Sequence, residues 1–128
     1  MKNRALVKQW QVRARSNLDR ARTGKIQKTI LYEDLCFDCQ QAVEKSLKAL
    51  LIAHDVESPH THIIGHLLEI LEQNRISVPD DVKSSVDLTE YAVHTRYPGF
   101  YEPVTEEEYR EALAVTECVH AWVSKQLT

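Results

Sequence analysis

The chain has 128 residues, 43% of them hydrophobic and 27% charged, with only three Gly and four Pro. That describes one domain, residues 1–128, long enough to bury a core without metal or disulfide staples and too poor in chain breakers for a turn-rich β fold. No apolar run approaches the roughly 20 residues that cross a bilayer, the N-terminus lacks a signal-peptide core, and three cysteines make no disulfide framework, so the expectation is a cytoplasmic protein with reduced thiols.

The first helix is expected over about residues 3 to 22. Val7, Trp10, Ala14, Asn17, Leu18 and Ala21 fall in one sector of a helical wheel, and Thr23-Gly24 supplies the stop. The net charge of −3 hides an asymmetry centred on this helix: residues 1–28 hold nine Lys or Arg against Asp19 alone, so the segment carries +8 and the remainder −11. Two readings follow. The basic segment packs across acidic helices, or it is a footprint for a phosphate backbone; a pI of about 6.1 favours the first.

The strongest helix is expected from about Glu33 to His54, with Leu35, Cys39, Ala42, Val43, Ser46, Leu47, Leu50 and Ala53 as its apolar stripe. Phe37, Leu51 and Ile52 lie outside that stripe and predict that a second side is covered too. Cys36 and Cys39 spell C-x-x-C, but the setting suits neither a redox pair nor a zinc site, and both are read as small core residues.

Thr61 is expected to cap a third helix with Ile64, Leu67, Leu68 and Leu71 inward, ending near Asn74. His62 and His66 are spaced i,i+4, which a metal could use with Glu69, but that spacing arises readily by chance and no metal is expected. Pro79 opens a fourth helix with Val82, Val86, Thr89 and Val93 on one face. One more turn of that ladder lands on Arg96, and Pro98 ends the helix. A core-facing guanidinium must find an anion: either Asp38 or Glu44 pairs with it, or the bundle leaves a phosphate site beside Tyr97, Phe100 and Tyr101. The last helix begins at a Thr105/Glu108 capping box and buries Tyr109, Ala112, Leu113, Thr116, Val119, Val123 and Leu127. The sum is an all-α, up-and-down antiparallel bundle of about five helices.

The run "FDCQQAVEKSLKALL", with "SPHTH", "TRYPG" and "PVTEEEYREAL", resembles the HEPN domain family (higher eukaryotes and prokaryotes nucleotide-binding) over nearly the whole chain. The resemblance implies a bundle that forms a homodimer. It also implies a minimal nucleotidyltransferase partner in a two-gene, toxin–antitoxin-like system. Many family members are metal-independent ribonucleases that use an Arg followed, after four to six intervening residues, by a His. This chain lacks that His after Arg96, where the corresponding positions are Tyr101, Glu102 and Pro103, and Ile63 stands where relatives have Asp. The expectation is therefore a nucleotide or RNA-phosphate binding module, without a cofactor, whose Arg96, Tyr97, Lys45 and Gln41 line a groove. The alternatives are a ribonuclease in which His62 or His94 serves as the base, and a purely structural dimer scaffold.

Overall fold

The α1 helix, Arg4–Arg22, ends where Thr23 is followed by Gly24 at φ 66°, a left-handed turn that a residue without Cβ adopts freely. A connector leads into α2, Tyr32–Ala53, which buries fourteen of its 22 residues and is therefore the central helix of an all-α up-and-down bundle. The computed structural model describes residues 3–93, 98, 99 and 102–128. Among these, no strand occurs.

α2 packs along α1 on one side and α6, Glu106–Gln126, on another, with α3, Ile64–Gln73, also against it. Leu47, Leu50, Ile64, Leu67, Leu71 and Val119 are fully enclosed where these helices meet. Leu51 is fully buried inside the single chain, and Phe37 and Ile52 are half-buried. The second covered side of α2 thus needs no second copy to account for most of it.

α6 begins as its sequence demands. Thr105 Oγ1 accepts from the Glu108 N–H at 3.1 Å while the Thr105 N–H donates to Glu108 Oε1 at 3.0 Å, so two otherwise unpaired donors of the first turn are satisfied. Tyr109, Ala112, Thr116, Val119 and Val123 are buried as expected, and Leu113 and Leu127 pack partly against the core. Arg22 of α1 clasps Glu117 of α6 with two hydrogen bonds of 2.7 and 2.5 Å, and the Tyr109 hydroxyl donates to the Ala21 carbonyl.

Two expectations fail. Thr61 does not cap α3: its hydroxyl accepts only from the Ile63 N–H, and the helix starts at Ile64, whose N–H donates to Thr89 Oγ1 at 3.1 Å. The cap comes from a residue 25 positions away, a tertiary contact that local pattern does not encode. The fourth helix is not one helix. It runs as α4, Asp80–Lys83, a 3₁₀ segment, Ser84–Thr89, and α5, Glu90–Val93. The buried residues are Val82, Ser85, Leu88 and Tyr91, at a spacing of three, while Val86 and Val93 are exposed. A 3₁₀ turn holds 3.0 residues, so positions i and i+3 eclipse and the ladder of an α-helix does not apply. The ladder that led to Arg96 is therefore not the one this segment uses. Arg96 itself lies outside the described residues, with His94, Tyr97, Phe100 and Tyr101.

Candidate functional site

The C-terminal half of α1 and the N-terminal half of α2 enclose a groove of about 640 Å³. Gln41 and Lys45, both expected at the site, sit together in its wall, one turn apart on α2, opposite Asn17 and Arg20 of α1. Arg96 and Tyr97, the other two expected residues, fall outside the described residues.

The groove is held by a chain of polar contacts. Lys45 Nζ donates to Asn17 Oδ1 at 2.7 Å, and Asn17 Nδ2 donates to Asp38 Oδ1 at 2.9 Å. Asp38 Oδ2 lies 3.5 Å from Arg20 Nε. Asp38 is almost wholly buried, and burial raises its carboxyl above the ordinary value although the Asn17 amide and Arg20 favour the ionised form. Lys45 shows the opposite sign: burial lowers its ammonium, and the charges of Arg13 and Arg20 lower it further against the pull of Glu44 and Asp38. Its hydrogen-bond partner is a neutral amide oxygen, so the lysine is held in place without being neutralised.

This accounts for the basic segment. Arg15 and Arg22 pair with Asp19, Arg22 reaches Glu117, and Arg20 approaches Asp38, which is the self-complementary reading. Arg4, Lys8 and Arg13, however, make no ion pair among the described residues. Two cations, Arg20 and Lys45, thus stand beside Asp38 in the groove wall, and the charge of Arg13 is felt at Lys45 as well. An anion entering the groove would relieve their mutual repulsion. Sequence reasoning placed Lys45 and Gln41 but missed Asn17 and Arg20, although their i, i+3 spacing puts them on one flank of α1.

Beside the groove, Gln41 Nε2 donates to Gln40 Oε1 at 2.7 Å, and the fully buried Gln40 donates to Glu44 Oε1 and to the His62 carbonyl, each at 3.1 Å. Glu44, 3% exposed, also receives Lys48 Nζ at 2.8 Å and faces His62 Nδ1 at 2.9 Å. Burial alone would raise this carboxyl, but the Lys48, His62 and Gln40 hydrogen bonds outweigh it and hold it below its ordinary value. Both carboxylates that the sequence offered to Arg96 are thus engaged, Asp38 by Asn17 and Arg20, Glu44 by Lys48, His62 and Gln40. The His62 ring, of which 65% is exposed, projects from the loop before α3. His62 therefore precedes the helix that would have aligned it with His66, and no group of three metal-ligating side chains exists among the described residues. Cys36 and Cys39 are buried, and burial pushes both thiols up to about 12, which removes them from nucleophilic or redox work.

The fold matches two solved structures over most of their length and of this chain. The crystal structure of TT1696 from Thermus thermophilus superposes with a TM-score of 0.81 at 31% identity, covering 93% of this chain and 96% of that one. "Crystal Structure of ST0689, an archaeal HEPN homologue" superposes with a TM-score of 0.75 at 29% identity, covering 95% and 98%. No curated protein matches the chain. The HEPN domain model matches residues 7–126, so the chain belongs to the HEPN domain family.

Proposed function

We propose that this HEPN protein is a binding module for the phosphate of a nucleotide or RNA, seated by Lys45 and Gln41 in the α1/α2 groove. It acts in the cytoplasm as a homodimer with a minimal nucleotidyltransferase partner in a two-gene, toxin–antitoxin-like system; Arg96 and Tyr97 extend the site. The single observation that carries the binding role is the pair of cations in the groove wall, Arg20 and Lys45, of which Lys45 is oriented by Asn17 at 2.7 Å and makes no ion pair among the described residues. A phosphate is the anion whose charge and multiple acceptors match such a cluster.

Titration calorimetry with inorganic phosphate, ATP and short RNA tests this. Lys45→Met should weaken all three at least tenfold, with binding that falls as salt rises. Equal affinity in the variant, or no saturable binding by the parent protein, overturns the proposal and leaves the scaffold reading.

A second reading has one observation in its favour. Glu44 holds His62 Nδ1 at 2.9 Å with most of the ring outside, which is how a carboxylate orients an imidazole for proton transfer. Incubating labelled RNA with the protein in EDTA, beside His62→Ala, tests for ribonuclease activity. Cleavage that survives the substitution removes His62 from the role.

A further inference from the structure

Lys45 and Arg20 do not have the groove to themselves. Asp38 shares its wall, and Asp34, one turn earlier on α2, adds a second carboxylate. An anion whose oxygens only accept hydrogen bonds suits the two cations and is repelled by the two carboxylates. The groove therefore calls for a ligand that brings a donor beside its negative oxygens.

Asn17 sets the distances. Its one amide group receives Lys45 Nζ on Oδ1 at 2.7 Å and donates through Nδ2 to Asp38 Oδ1 at 2.9 Å. A cation and a carboxylate are thus held no more than about 8 Å apart, a span that a single phosphate covers with one hydrogen bond at each end. Both groups retain capacity. Lys45 gives one of its three N–H groups to Asn17, and Asp38 Oδ2 lies 3.5 Å from Arg20 Nε, too far for a strong hydrogen bond.

Resting on the phosphate-binding reading above, we propose that the groove takes a phosphate monoester carrying one proton, with Lys45 and Arg20 on its ionised oxygens and its P–OH donating to Asp38. Room favours an ester over free phosphate. The groove measures about 640 Å³, within the range of small-molecule pockets, and includes an apolar wall of Ile26, Ile30 and Phe37 against which the organic group of the ester lies. Sulfate and phosphate diesters carry no proton near neutral pH, so both bring acceptors alone to Asp38. A monoester has its proton within reach, because its second pKa is about 6. Asp38 must be ionised to accept it. That carboxylate is faced by Asn17 and Arg20 of α1 and by Asp34 and Lys45 of α2, while Lys45 also feels Arg13 and Glu44.

Calorimetry on the full chain tests this at pH 6 and constant ionic strength, with phenyl phosphate, inorganic phosphate, sulfate and dimethyl phosphate. Phenyl phosphate should bind several-fold tighter than inorganic phosphate and at least tenfold tighter than sulfate or the diester. Asp38→Asn places a donor where the acceptor stood and should bring sulfate to within threefold of phosphate. Asp34→Asn, at an exposed position that leaves the buried contacts intact, should move the ratio the same way by a smaller factor. From pH 6 to 8 the protonated fraction of a monoester falls roughly 50-fold. Phenyl phosphate affinity should therefore fall tenfold or more in the parent and much less in Asp38→Asn, whereas loss of charge on Lys45 would weaken both alike. AMP and a 5′-phosphorylated dinucleotide, as a free nucleotide and a strand end, should each bind at least tenfold tighter than the 5′-hydroxyl dinucleotide, whose only phosphate is a diester. Sulfate or dimethyl phosphate within threefold of inorganic phosphate at pH 6, phenyl phosphate no tighter than inorganic phosphate, a 5′-hydroxyl dinucleotide as tight as its phosphorylated form, or selectivity unchanged in both variants overturns the inference while the phosphate site stands. No saturable binding of any phosphate removes both.

Discussion

Replacing Glu44 by Gln keeps the shape of the side chain and removes one charge from a buried carboxylate that three side chains contact. Glu44 accepts from Lys48 at 2.8 Å, Gln40 at 3.1 Å and faces His62 Nδ1 at 2.9 Å, and the Glu44 and Lys48 side chains are only 5% and 9% exposed. Removing one partner of a buried ion pair costs about 3–5 kcal/mol, mostly because the other charge stays buried without compensation. Lys48 has a flexible stem and the Trp10 ring nearby, so the lower end, about 3 kcal/mol, is expected. For a chain of this length that lowers the melting temperature by roughly 10 °C. Glu44→Gln combined with Lys48→Met should regain most of the loss, since an apolar replacement of a buried pair is often neutral. The pH dependence fixes the sign. Glu44 titrates below its ordinary 4.5 in the folded chain, so its contribution is complete above that value and disappears as pH falls through the folded value. Urea unfolding of the parent and the Glu44→Gln protein should therefore differ by about 3 kcal/mol between pH 6 and 8 and converge toward pH 3. A difference below 1 kcal/mol at pH 7, a gap undiminished at pH 3, or a double variant no more stable than the single one refutes the reasoning.

Two further outcomes follow from contacts that sequence pattern did not supply. Thr89→Val removes the acceptor that receives the Ile64 N–H at 3.1 Å and should cost about 1 kcal/mol in urea unfolding, against a few tenths for Thr61→Val; the reverse order would return the cap to Thr61. Cys118 is half-buried, whereas Cys36 and Cys39 are enclosed and their thiols pushed up to about 12. A thiol reagent at pH 8 should modify Cys118 alone, the other two reacting only once the chain is unfolded; early modification of all three would contradict the burial.

The helices that could be read from the sequence are those whose signals are local. The Thr105/Glu108 box, the Gly24 stop and the uniform 3.6-residue stripes of α1, α2 and α6 each depend on neighbours within a turn, and all appear in the structure. The segment from residue 80 to 93 defeated that reading because both periods fit its sequence. Val82, Val86, Thr89 and Val93 make an α-helical face, and Val82, Ser85, Leu88 and Tyr91 a 3₁₀ one. The second set carries Leu88 and Tyr91, larger apolar bodies than Thr89 or Val86. Burying them against α6 and α2 outweighs the poorer 3₁₀ hydrogen-bond geometry, and nothing local to the segment states that preference.

The site divides along the same line. Lys45 and Gln41 were reached through a family pattern on one helix, and the structure brings them to one groove. What turns that groove into an anion site lies on the other helix. Whether Arg13 and Arg20 serve the chain's own carboxylates or something outside depends on which acidic residues stand opposite, and a count of +8 against −11 cannot tell. The folded chain can: Arg22 faces Glu117 and is consumed, whereas Arg13 makes no ion pair among the described residues and its charge is felt at Lys45. Each pairing lowers the charge left for a ligand, so the cations that remain near one another are the ones a phosphate can use. The basic first helix is neither wholly internal glue nor wholly a footprint: Arg22 is neutralised by Glu117 of α6, whereas toward α2 the single carboxylate of Asp38 stands beside both Arg20 and Lys45.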